Sequence, residues 1–148
     1  MTAGDSHEFH GRQVVPGAIR GVALVTQERV SFFGGVDAST GRVSERGHQL
    51  EGLSVAGKVL VYPGGKGSTG ATYVLLSMAA DGTAPLAMLS PEIDNVTVVG
   101  AVLGKISTVD RLPPGFFDTV KSGDWIEVDG EHGIVRVVRV HQSEEAQR

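Results

Sequence analysis

Short apolar runs, each closed by glycine or by a polar cluster, set the rhythm of this chain. Val14 to Thr26 (VVPGAIRGVALVT) carries β-branched and aliphatic residues interrupted by Gly17 and Gly21, a pattern that predicts a strand with a bend or bulge. Ser31 to Arg42 follows as a glycine-punctuated loop in which Asp37 and Thr40-Gly41 supply turn chemistry. Lys58 to Tyr62 (KVLVY) is apolar on both sides of a period of two, the mark of a strand covered on both faces. Gly70 to Ala80 recurs near a helical period and ends at Asp81-Gly82, so a helix is expected there. Ala84 to Leu89 and Asn95 to Leu103 read as further buried strands, the second with a possible helical turn after Gly100. A strand, helix, strand unit with a parallel sheet is the natural assembly. Leu112-Pro113-Pro114-Gly115 breaks the pattern. After it, Asp124 to Val140 alternates about the turn signals Asp129-Gly130 and His132-Gly133, which predicts an antiparallel hairpin. The polar, aperiodic ends are expected to be loose tails, residues 1–13 and 141–148, around one domain over residues 14–140. The expected fold class is mixed α/β: a compact, barrel-like mixed sheet with few helices.

Composition narrows the function. A chain of 148 residues supports one core. Glycine, at 21 residues, falls between the apolar runs without a fixed period, as turn positions do rather than low-complexity sequence. No apolar run approaches the roughly twenty residues of a membrane span, and the N-terminus lacks the apolar core of a secretory signal, so a cytoplasmic location is expected. Thirteen Lys and Arg stand against seventeen Asp and Glu, with no basic cluster, which argues against a nucleic-acid partner held through phosphates. Cysteine is absent. That removes thiol nucleophiles, zinc-thiolate sites and any iron–sulfur cluster ligated by this chain's own sulfurs.

The stretch from Lys58 to Gly70, KVLVYPGGKGSTG, concentrates the candidate chemistry. A buried strand runs into a glycine turn, and Ser68 and Thr69 stand where a helix begins. Unpaired N–H groups and the helix dipole there favour a carboxylate, a phosphate or a serine alkoxide. An ordinary N-cap explains the same two residues without any ligand. A nucleoside-triphosphate loop is excluded, because Lys66 is followed by Gly67 rather than by Ser or Thr. The dinucleotide fingerprint fails as well, for want of an acidic residue about twenty positions on. The five histidines (His7, His10, His48, His132 and His141) show no metal-site spacing and read as surface residues. Asp37, taken alone, reads as a turn cap. No catalytic set is complete: Ser68, with Lys66 two residues before it, makes half a site, and no histidine is placed to act as its base.

Taken in order, Gly21-Val22-Ala23-Leu24-Val25, Ser31-Phe32-Phe33-Gly34-Gly35-Val36-Asp37 with Thr40-Gly41, Gly57-Lys58-Val59-Leu60-Val61, Gly67-Ser68-Thr69 and Ala84-Pro85 resemble the small subunit, or swivelling domain, of the aconitase X family. The resemblance runs from about Val14 to Ile106. This chain has Lys66 where the family commonly has Arg, Phe33 where it has Trp, and Thr69 where it has a second Ser; Lys66 keeps the charge but not the guanidinium fork. The resemblance implies a two-piece hydro-lyase, inactive without its large subunit. That cysteine-bearing partner is expected to hold an iron–sulfur cluster, with no metal and no cofactor on this chain alone. It further implies Ser68 as the proton-abstracting base, with Lys66, Gly67, Thr69 and Asp37 around the substrate.

The leading substrate on this reading is a small hydroxy acid, cis-3-hydroxy-L-proline. The runner-up is mevalonate 5-phosphate, whose phosphate calls for more cations than Lys66, with Arg20 and Arg42 as outside candidates. A non-catalytic swivelling or scaffold module, with Ser68 as a helix cap only, is the reading of a different class. A phosphohistidine carrier is disfavoured, since the turn holds Ser68 and no histidine.

Overall fold

The structure is a computed structural model and describes residues 5–139. Ten strands and four helices follow one another as β1 (Asp5–His10), β2 (Arg12–Val15), β3 (Ala18–Val25), α1 (Phe32–Gly35), β4 (Val36–Asp37), β5 (Arg42–Val43), β6 (Val59–Val61), α2 (Gly70–Asp81), β7 (Ala87–Leu89), α3 (Asn95–Gly104), β8 (Ser107–Asp110), α4 (Pro114–Thr119), β9 (Trp125–Asp129) and β10 (Ile134–Arg139). Eight strands form one sheet in the order β1-β10-β9-β3-β6-β7-β8-β2, and β4 and β5 form a small hairpin. Its two edge strands, β1 and β2, are consecutive in sequence and joined through Gly11. One segment therefore edges both sides of the sheet and curls it into a nearly closed barrel, as the expected fold class has it.

β3 joins two pairing regimes. Its first half, Ala18 to Val22, pairs antiparallel with β9, and its second half, Ala23 to Val25, pairs parallel with β6. β6, β7 and β8 continue the parallel part, with α2 and α3 as crossovers. Side-chain alternation along β6 divides the interior. Val59 and Val61 enter a core inside the barrel with Phe116, Ile126 and Val137. Leu60 enters a second core beneath the helices, with Leu75, Met78 and Ala101. The doubly covered strand predicted from KVLVY is thus observed, and its three residues are fully buried.

Three expectations need correction. Residues 5–13, assigned to a tail, lie in β1, β2 and their junction; residues 1–4 and the C-terminal tail fall outside the described residues. From Ser6 to His10, β1 is exposed apart from Phe9, so this stretch lacks an apolar face. It is held by pairing along the whole of β10 and by an edge-to-face contact of Phe9 with Phe116, centroids 5.4 Å apart. Val14 to Thr26 is two strands, broken at Pro16-Gly17.

Asn95 to Leu103, read as a strand, is helix α3. Its β-branched run favours a strand locally, but Asp94 caps it, accepting from the Thr97 N–H and hydroxyl. Gly100 then lets α2 come close, since a Cβ there would stand 3.0 Å from the side chain of Leu75. Packing overrides propensity.

Candidate functional site at the glycine turn

Ligand sites of open α/β sheets lie beyond the carboxyl ends of parallel strands, and the turn from Pro63 to Thr69 occupies that position after β6. Two neighbouring segments fix its path. The segment after β3 runs beside it, through a parallel bridge between Val30 and Gly65 and a bond from the Val30 N–H to the Gly64 carbonyl at 3.1 Å. Asp94, already the cap of α3, also accepts the Gly65 N–H at 2.9 Å, and Arg29 donates to the Gly65 carbonyl at 3.0 Å. Gly65 has no room for a side chain, because a Cβ would meet the Thr97 hydroxyl at 2.7 Å and the Asp94 carboxylate at 2.9 Å. One aspartate therefore ties the turn to the start of a helix.

At the end of this turn Ser68 is half-buried. Its Oγ accepts the Gly70 N–H at 3.3 Å, and its carbonyl accepts the Ala71 N–H at 2.9 Å. The serine thus caps α2, whereas Thr69 has helical backbone angles and makes no side-chain cap. Capping does not use up the donors of the turn: among the described residues, the N–H groups of Gly67, Ser68 and Thr69 donate to no protein group. Nor is the turn roofed over, since open space surrounds the position a Gly67 side chain would take. The arrangement suits an anion or a serine oxygen carrying negative charge.

Phe33 forms the wall beside the helix start. The kinked turn of α1 lays its ring against the Cα of Gly70, where any Cβ would strike the ring, yet the side chain is 57% exposed. On the other flank, Lys66 pairs with Glu45, Nζ to Oε2 2.8 Å, and that hydrogen bond holds the Glu45 carboxyl below its usual pKa.

Lys66, Gly67, Ser68 and Thr69 therefore lie together, as sequence neighbours must. Asp37 does not join them. Its carboxylate accepts the Ser39 N–H and hydroxyl at 2.9 and 2.7 Å, which lower its pKa. The adjoining Ala38 carbonyl is bound by Thr83, just past the C-cap of α2. Asp37 stands at the far end of a helix about 18 Å long, as the turn-cap reading has it.

Arg20 and Arg42 also lie elsewhere. Arg20 lines a surface groove with Glu8, Glu127 and Arg136, and Arg42 binds the Gly52 carbonyl at 2.9 Å. The cations beside Lys66 are Arg29 and Arg46, which no motif singles out. His48 is buried rather than on the surface. Its Nε2–H donates to the Arg29 carbonyl at 2.9 Å, and its Nδ1 accepts the Leu50 N–H at 3.0 Å. With both nitrogens occupied, His48 holds the loop and is not a base for Ser68.

Residues 8–137 match the family model described as the aconitase X swivel domain. The chain belongs to the aconitase X swivel-domain family. The small subunit of phosphomevalonate dehydratase from Methanocella arvoryzae is 42% identical over 130 residues, covering 88% of this chain and 98% of that one. Its counterpart from Archaeoglobus fulgidus is 41% identical over 131 residues, again 88% and 98% of the two chains. Among solved structures, aconitase X of Thermococcus kodakaraensis, in its holo-form, superposes with a TM-score of 0.85 at 34% identity, covering 90% of this chain and 99% of that one. The protein is thus the small subunit of an aconitase X-type hydro-lyase, which implies a large-subunit partner.

This chain does not fit an iron–sulfur cluster of its own, having no cysteine. Among the described residues no three His, Asp or Glu side chains gather as metal ligands, and no helix is long and apolar enough to cross a membrane.

Proposed function

We propose that the chain is the small subunit of a phosphomevalonate dehydratase, with Ser68 as the base that removes the C2 proton. The observation that carries the substrate is the shared name of relatives 37 to 43% identical to this chain, each a phosphomevalonate dehydratase small subunit. This reverses the order of the sequence reading, which puts cis-3-hydroxy-L-proline first. The cations that reading lacked are Arg29 and Arg46, which stand beside Lys66.

The elimination breaks the C2–H bond, forms the C2–C3 double bond and releases the C3 hydroxyl, giving an anhydromevalonate phosphate and water. A serine hydroxyl is a very weak acid, so its oxygen serves as a base only where negative charge is strongly favoured. Ser68 Oγ already accepts one helix N–H, and the dipole of α2 adds to that field. The free N–H groups of the turn are placed to bind the substrate carboxylate next to C2. Departure of the hydroxyl falls to the large subunit, on which the iron–sulfur cluster expected for the family is proposed to sit. Docking of that partner over the open turn expels water and strengthens each of these interactions.

Reconstitution with the cognate cysteine-bearing large subunit tests the assignment. Phosphomevalonate is expected to be dehydrated with cis-3-hydroxy-L-proline left unchanged; turnover of the imino acid alone would overturn the substrate.

A further inference from the structure

Next to the turn lies an open hollow of about 380 Å³, lined by Glu28, Arg29, Glu45, Arg46, His48 and Lys66 among others. Its cations, Arg29, Arg46 and Lys66, outnumber its carboxylates three to two. Both carboxylates are engaged. Glu28 accepts the Gln49 N–H at 2.8 Å, and Glu45 binds Lys66. The guanidiniums are less committed. Arg29 gives one N–H to the Gly65 carbonyl, and among the described residues Arg46 makes no hydrogen bond or ion pair. Guanidinium forks with spare donors, next to a lysine held only by one half-buried carboxylate, form a receptor suited to a phosphate.

The spacing matches the substrate. Lys66 and Ser68 are two residues apart, so their Cα atoms are at most about 7 Å from one another. In phosphomevalonate five bonds of about 1.5 Å separate C2 from phosphorus, which at tetrahedral angles places the two about 6 Å apart along an extended zigzag. A single molecule can therefore present C2 to Ser68 and its phosphate to the hollow. The carboxylate, bonded directly to C2, stays at the helix start.

We propose that this hollow is the phosphate subsite of the enzyme, with Arg29 and Arg46 as the residues that select a phosphorylated substrate. Glu45 is the resting counter-ion of Lys66, displaced when the more highly charged phosphate arrives. The proposal rests on the phosphomevalonate reading and adds to it that the small subunit, rather than the large one alone, reads the phosphate.

The test uses the reconstituted two-subunit enzyme carrying Arg46→Gln, Arg29→Gln or Glu45→Gln, with phosphomevalonate as substrate and inorganic phosphate as inhibitor. Each arginine variant is expected to raise KM for phosphomevalonate and the inhibition constant of phosphate together, by about 10- to 100-fold, while kcat changes less than about threefold. Glu45→Gln, which frees Lys66, is expected to move the phosphate constant the opposite way. Arginine variants that leave both constants unchanged, or that lower kcat alone, would overturn the subsite. A wild-type enzyme that ignores phosphomevalonate would instead remove the functional reading beneath it. Arg46→Gln is the decisive variant, because that side chain supports no described structure whose loss could mimic the effect.

Discussion

Asp94 is the residue on which the geometry of the turn depends, since one carboxylate receives the Gly65 N–H, the Thr97 N–H and the Thr97 hydroxyl. Asp94→Ala leaves the first two donors without their partner and removes the cap of α3. A loss of about 1–3 kcal/mol is expected, measured as a lower urea midpoint with an unchanged slope. A loss below the error of the experiment would mean that the turn is held by something else. At this scale the sequence displayed what is contiguous. Lys66, Gly67, Ser68 and Thr69 are neighbours, so the motif and the candidate site coincide. It did not display Arg29 or Arg46, which are brought to Lys66 by the course of the chain after β3 and the loop after β5. Asp37 misled for the same reason in reverse: it belongs to the familiar motif, but its turn closes at the other end of α2.

The β9–β10 hairpin carries a pH dependence that the structure makes specific. His132 Nδ1 lies 2.9 Å from Asp129 Oδ2 in the connecting turn. This hydrogen bond raises the His132 pKa and is also the main cause that lowers that of Asp129. A raised histidine stabilises the fold fully below the usual imidazole range and loses that contribution as pH climbs through the raised value. The lowered carboxylate contributes above the usual carboxylate range and loses it as pH falls through the lowered value. The pair therefore acts between the two. NMR titration is expected to find the His132 midpoint above about 6.5 and to return it there in Asp129→Asn; an identical midpoint in both proteins would show that the pair does not form in solution. Elements were legible wherever local pattern and tertiary environment agree. The hairpin announces itself by alternation and two glycine turns, and α2 by its period and its Gly82 stop. α3 was hidden, because nothing in NVTVVGAVL shows that Gly100 faces Leu75. β1 was hidden too, because a strand exposed on nearly all positions looks like a tail until its partner is known.

For the whole molecule, the barrel closes through β1 and β2 and leaves the parallel strand ends, with the glycine turn, open to a companion. A half-buried serine capping a helix is an unremarkable surface feature in the isolated chain. On the proposed function it serves as a base only with the large subunit over it, and the purified chain alone is expected to be inactive. A scaffold role and a catalytic role for Ser68 both agree with this geometry, and they part only when Ser68 is changed inside the assembled enzyme. The most direct measurement follows release of label from C2-deuterated phosphomevalonate by the large subunit combined with wild-type or Ser68→Ala small subunit, alongside the affinity of the two subunits. The account predicts unchanged subunit affinity and a rate of label release lowered by about 10²- to 10⁴-fold or more. Release by the Ser68→Ala complex within a few-fold of wild type would contradict it.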